Sequence, residues 1–249
     1  MTETTIATAN GSRPKLDSIK DLINASLPVY KEKFWRFILM MLVPILGALP
    51  ILFVGGFYLL ARFVFAWPGE LINPIFIFLA IVGVLFAIYL GIVSQISLLL
   101  LLKPENKEAG IWSIFKSGGQ YFWRYFFLEI LLFIIIFVGF IFLIVPGVAA
   151  LGYFGFAVYA LIFEDQKIIE SIKRSAFLVK DYWWSTVGRI LAVYVPFYLI
   201  VIIPTIFMEE KGSGVIAWNF IVNILSFVIA PFFMVYLYGI YQNLVKLKK

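Results

Sequence analysis

The sequence predicts an all-α, polytopic integral membrane protein: six transmembrane helices arranged as three hairpins, with amphipathic cytoplasmic interfacial helices feeding them. Three observations predict it. The chain is 63% hydrophobic and 14% charged, against about half and about a quarter in soluble domains. A water-soluble chain of 249 residues could not bury that much apolar surface. Six apolar runs approach or exceed the ~20 residues that cross a bilayer. A basic amphipathic segment, an aromatic doublet and two apolar runs recur in that order three times.

Residues 1–14 (MTETTIATANGSRP) are small and polar and read as a disordered N-terminal tail. They lack the basic start and apolar run of a signal peptide and the spaced Arg of a transit peptide. The remainder, 15–249, reads as a single six-helix membrane domain with repeat units at about 15–102, 108–163 and 167–244. The spans fall at roughly 36–65, 74–102, 122–145, 148–163, 184–208 and 215–244. The first two exceed a hydrocarbon core, so they tilt, kink or extend beyond it. Only Val145-Pro146-Gly147 separates the third span from the fourth, which predicts a tight turn there. A re-entrant hairpin is the alternative, but the pair carries enough residues for two crossings of ~20 each.

Charge placement sets the orientation. Eighteen of the twenty Lys and Arg fall on the side of the two termini, and only Arg62 and Lys211 on the other. The positive-inside rule then puts both termini in the cytoplasm of a multi-pass protein of the plasma (inner) membrane. The net charge of +6 faces anionic lipid headgroups, which argues against nucleic acid as a partner. Neither Cys nor His occurs. That removes disulfides, thiolate nucleophiles, most zinc chemistry and the commonest general base, and no cofactor is implied.

The three units share a motif. Ser18-Ile19-Lys20 leads to Phe34-Trp35-Arg36, Ser113-Ile114-Phe115-Lys116 to Phe122-Trp123-Arg124, and Ser171-Ile172-Lys173-Arg174-Ser175 to Tyr182-Trp183-Trp184. The aromatic doublets belong at the headgroup level, where amphipathic rings anchor a helix entering lipid. In the third linker Ile168, Ile172, Ala176, Val179 and Trp183 recur at helical spacing, with Lys167, Glu170, Arg174 and Asp181 opposite. Glu170 and Arg174 have the order of a favourable i,i+4 ion pair. In the first linker Leu16, Ile19, Ile23, Leu27 and Tyr30 form a similar stripe, which Pro28 is expected to break. Such helices lie in the interface. They either cover the cytoplasmic ends of the bundle or sense lipid or dock a partner.

Charged groups inside spans are costly, and each is a functional candidate. Glu129 and Arg189 lie six residues after Trp123 and Trp183, at one depth, about 9 Å along each helix at ~1.5 Å per residue. They are a candidate intramembrane pair, acting as a bridge that fixes helix register or as a proton or ion relay. Arg189 snorkelling to the surface is a further alternative. Asn219, Asn223 and Ser226 share one face of the sixth span, a polar stripe suited to interhelical hydrogen bonds or to a hydrophilic path. Ser94, Gln95 and Ser97 add polar groups to the second span. Pro44, Pro50, Pro196, Pro204 and Pro231 can kink their helices, but their registers do not match between units.

From Ile144-Val145-Pro146-Gly147 through Phe156-Ala157, Phe163-Glu164, Ser171-Ile172-Lys173-Arg174-Ser175, Leu178-Val179-Lys180 and Trp183-Trp184 the chain resembles a known family. It is similar to the membrane domain found in glycerophosphoryl diester phosphodiesterases and in related stand-alone six-helix bacterial proteins of the YciC type. The pattern is a Pro-Gly turn, an apolar span ending in Glu, an amphipathic helix containing Arg-Ser, and aromatic residues opening the next span. The resemblance implies a structural role for Glu164, Arg174 and Ser175, tying the fourth span to its cytoplasmic linker beside the Pro146-Gly147 turn. It implies no phosphodiesterase activity, which belongs to a separate domain with acidic and His residues.

The favoured function is therefore non-enzymatic: a membrane organiser or accessory subunit acting through lipid contacts or a membrane protein partner. The alternative is a small transporter or channel using the prolines, the Asn stripe and the Glu129/Arg189 pair. A lipid-modifying enzyme ranks last, because no nucleophile elbow, metal cluster or usefully spaced carboxylate pair is present.

Overall fold

The computed structural model describes residues 15–207 and 213–248. The tail 1–14, Lys211 and the end of the fifth span lie outside the described residues. Among the described residues every regular element is helical. The first hairpin pairs α1 (Ile19–Leu59), prolonged by a π-helical turn at Leu60–Val64, with α2 (Gly69–Leu100). A 3-10 turn at Pro104–Asn106 leads to the short helix α3 (Ile111–Gln120). The second hairpin pairs α4 (Phe122–Phe142) with α5 (Ile144–Phe154) and α6 (Ala157–Phe163), which together make the fourth span. A second short helix, α7 (Ile168–Val179), precedes the third hairpin of α8 (Trp183–Ile206) and α9 (Ser213–Leu247). Six stretches are long and apolar enough to cross a membrane. The molecule is an all-α, multi-pass membrane protein.

Helix α1 begins where Ser18 Oγ accepts a hydrogen bond from the Asp21 N–H at 3.2 Å, satisfying one of the free donors of the first turn. It then runs unbroken through Pro28, contrary to the break expected there. Pro28 sits on the exposed face, while Leu22, Ser26, Lys33 and Phe37 are buried on a helix that packs against α2 and α9. A proline in a helix interior costs roughly 3 kcal/mol, and burial of this face outweighs it. The inner stripe is rotated from the expected one: Ile19 and Leu27 are exposed, and Leu22 and Ser26 take inward positions. In the first unit the interfacial helix and the span are thus one rod. In the other two units, turns at Tyr121 and at 180–182 separate them.

The reversal between third and fourth spans occurs at Leu143, not at Pro146-Gly147. Leu143 is extended (φ −171°, ψ 157°), and Pro146 and Gly147 lie in the first turn of α5. Proline fits there because first-turn N–H groups have no helical acceptor. Gly147 allows the chain to fold back on itself, since a Cβ there would stand 2.5 Å from the Phe140 ring. The fourth span is interrupted at Gly155-Phe156, a break its apolar run did not announce.

The hairpins meet at the end that carries α3 and α7. Phe37, Met40, Ile96, Leu128, Leu161, Leu178, Tyr236 and Ile240 belong to one core there. A separate small cluster of Ala61, Ile72 and Phe76 closes the far tip of the first hairpin. Elsewhere the helices present exposed apolar side chains such as Phe53, Phe133, Leu199 and Phe220, which suits a lipid environment. Helix α3 lies so close on α2 that a Cβ at Gly118 would stand 2.5 Å from Ser97 Oγ. Among the described residues this end holds sixteen Lys and Arg against ten Asp and Glu, which makes it the basic end of the molecule.

Candidate functional site: the basic end of the bundle

Each hairpin opens with an arginine that grips the backbone leading into another unit's interfacial segment. Arg36 of α1 donates to the carbonyls of Lys107 (2.7 Å), Asn106 and Ala109, just ahead of α3. Arg124 of α4 donates to Asp165 Oδ1 (2.8 Å) and to the carbonyls of Asp165 (3.1 Å) and Gln166 (2.5 Å), just ahead of α7. Arg189 of α8 donates to the carbonyls of Asp17 (2.8 Å) and Leu16 (2.9 Å), just ahead of α1. It also donates to the Ser185 carbonyl of its own helix at 2.8 Å. The first unit holds the second, the second holds the third, and the third holds the first. The threefold repeat therefore closes into a ring. A planar guanidinium with five N–H groups suits a cluster of carbonyls in a way an ammonium does not.

Part of this was legible. The Trp-Arg dipeptide recurs at Trp35-Arg36 and Trp123-Arg124, but by itself it indicates only a membrane anchor and an orienting charge. In the third unit Trp184 holds the corresponding place, and Arg189, five residues on, does the work. The closure is reinforced by Asn243 of α9, which accepts from the Asp17 N–H (3.1 Å) and donates to the Asp17 carboxylate. No local pattern links residues 226 positions apart.

A second network joins α6, α7 and α9. Arg174 Nε donates to Glu164 Oε2 (2.8 Å) and Oε1 (3.1 Å), and the Tyr241 hydroxyl donates to the same Oε1 at 2.7 Å. The expected partner Glu170 lies on the exposed face, and the bridging partner is Glu164. Next to it, Ser175 spans the break in the fourth span. Its hydroxyl donates to the Tyr153 carbonyl (2.7 Å) and accepts from the Phe156 N–H (3.1 Å), supplying both partners the interrupted helix leaves free. The inner face of α7 is Ser171, Ile172, Ser175, Leu178 and Val179. Ile168 and Ala176, expected inside, are only half-buried because α7 turns its serines inward. At the start of α4, Tyr121 lies under Lys103 and Arg124, with ring distances of 5.9 and 5.7 Å. Burial, and then Asp165, push its hydroxyl above the ordinary pKa.

The structure does not bring Glu129 and Arg189 together as an ion pair. Helix α8 packs on α5 and α9, Arg189 is held by carbonyls, and Glu129 lies on an exposed face of α4 beside Tyr125. Of the Asn219, Asn223 and Ser226 stripe, Asn219 and Asn223 are exposed. Asn223 Nδ2 donates to the Asn219 carbonyl at 2.7 Å, so this amide serves its own helix and not a neighbour. Ser94 does cross between helices, donating to the Met40 carbonyl at 2.5 Å. Ser97 returns its hydrogen to Val93 of its own helix at 2.6 Å.

The basic end thus separates its cations. Arg36, Arg124, Arg174 and Arg189 turn inward to fixed partners, while Lys15, Lys20, Lys31, Lys116, Lys167, Lys173, Lys180 and Lys246 are exposed. Trp35, Trp112, Trp123 and Trp184, which open the spans or their interfacial helices along the chain, are exposed as a belt of their own. Such a belt marks the headgroup level of a membrane. No family model, no curated protein and no solved structure matches this chain.

Proposed function

We propose that the protein is a non-enzymatic membrane organiser or accessory subunit. In this reading it lies in the plasma membrane with both termini in the cytoplasm, and it works through anionic lipid headgroups or a partner membrane protein. The observation that carries the reading is the division of cations at the basic end. The arginines are committed to main-chain carbonyls and, for Arg124 and Arg174, to carboxylates, while the lysines of the same segments and the tryptophans are exposed. Each such lysine is worth ~1 kcal/mol of attraction to an anionic leaflet. The resemblance to the membrane domain that accompanies phosphodiesterases agrees with a supporting, non-catalytic role.

The test is native mass spectrometry of the intact protein from a mild detergent. Retained anionic phospholipid, or a stoichiometric co-purified protein, is the expected result. A bare protein that instead conducts ions or protons in liposomes would replace this reading with the second one, a small transporter or channel. The interrupted fourth span favours that second reading, because transporters build sites at broken helices.

A further inference from the structure

Where α1 passes α9 at the basic end, a cleft of about 310 Å³ opens beside the end of α2. This is the lower end of the roughly 300–1,000 Å³ range of small-ligand sites. Lys33 lines it and is only 8% exposed. Its Nζ donates to the Leu101 carbonyl at 2.6 Å, one acceptor for three N–H groups among the described residues. One turn on, the Arg36 guanidinium is also answered by carbonyls. Neither cation makes an ion pair among the described residues. The nearby acid is Glu32, and its carboxylate is held at the rim by Lys107 at 3.3 Å. Three cations therefore share one anion. The carbonyl end of α2 offsets part of the Lys33 charge, but a buried cation without a counter-charge is costly.

The cleft has a depth and a polarity gradient. Lys33 lies two residues before Trp35, which is 73% exposed and belongs to the headgroup-level belt. The rim carries Lys107 and Gln242, both exposed donors. The inner wall is Val29, Leu102 and Val235. An occupant with an anionic, acceptor-rich head and an apolar stem fits this order of groups.

Resting on the lipid-contact reading above, we infer that this cleft binds the phosphate of an anionic phospholipid, with Lys33 and Lys107 as its cationic ligands. Phosphate offers several acceptors to the unused ammonium hydrogens and to the Gln242 amide. A zwitterionic lipid brings its own cation and gains less.

The full chain in mild detergent is titrated with phosphatidylglycerol, phosphatidylcholine or inorganic phosphate and read by native mass spectrometry. The expected result is one phosphatidylglycerol bound in preference to phosphatidylcholine, with affinity falling roughly tenfold in Lys33→Met and in Lys107→Ser, one lost charge-assisted contact each. Lys107 is exposed, so its variant tests the site even if Lys33→Met disturbs the fold. Equal phosphatidylglycerol binding by wild type and Lys107→Ser, or no preference over phosphatidylcholine, overturns the inference. Competition by inorganic phosphate at lower concentration than the lipid overturns the lipid source in favour of a soluble phosphate. Anionic lipid retained equally by both variants leaves the organiser reading standing while removing this cleft as its site. No lipid retained by the wild type removes this cleft as a site, and with no co-purified partner protein either it removes the organiser reading as well.

Discussion

Arg189 shows how a single charge at a membrane boundary is settled by what lies within reach. It has three carbonyls at 2.8 to 2.9 Å, and hydrogen bonds to a charged donor are worth about 1.5–3 kcal/mol each at full burial, less at a half-exposed site. A carboxylate on α4 cannot compete, because α8 packs chiefly on α5 and α9. Replacement Arg189→Ala should therefore lower stability by about 1–3 kcal/mol, measured by thermal unfolding in detergent. Glu129→Gln should leave stability nearly unchanged, because Glu129 stands on an exposed face and gives up no ion pair. The double-mutant cycle between them should give a coupling near zero. A coupling above ~1 kcal/mol would reinstate a direct bridge. Both residues were visible in the sequence as intramembrane charges. Their partners were not, because a backbone carbonyl carries no signature in the one-letter code.

At the scale of elements, the fourth span is two helices joined by a side chain from a third. Ser175→Ala should leave the Tyr153 carbonyl and the Phe156 N–H without the hydroxyl that serves both. The expected cost is about 1–3 kcal/mol, and Ser175→Thr should recover part of it. Equal melting of Ala variant and wild type would show that the break is satisfied some other way. A second junction depends on shape. Trp183 at the start of α8 lies directly against Gly152 of α5, where an added Cβ would collide with the indole. Gly152→Ala should cost about 1–3 kcal/mol through that overlap, whereas the same change at Gly188, with open space around it, should be neutral or slightly stabilising. Melting curves of the two variants side by side decide it. Ser175 stood out in the sequence through the Arg-Ser motif, and Gly152 did not stand out at all. A glycine required by close approach looks like any other until the neighbouring helix is in place.

For the whole molecule, the ring of arginine clamps makes the segment at 16–17 part of the fold even though it precedes every span. Deleting residues 1–17 should lower the melting temperature of the entire bundle in detergent and render the α7–α8 region sensitive to protease. Deleting 1–14 alone should do neither, because the clamp begins at Leu16. Identical behaviour of the two truncations would mean the ring does not bear on stability. The sequence by itself determined the solvent, the number of crossings and the threefold order of parts. Each follows from apolar run length, charge placement and aromatic doublets, which are local and additive along the chain. It did not determine which face of α1 or α7 turns inward, where the second hairpin reverses, or which group answers each charge. Those were decided by tertiary structure, because they depend on backbone carbonyls and close approaches contributed by residues far away in sequence. The Arg189 clamp on Leu16 and Asp17 crosses more than 170 positions. Only a folded ring brings such groups to hydrogen-bonding distance.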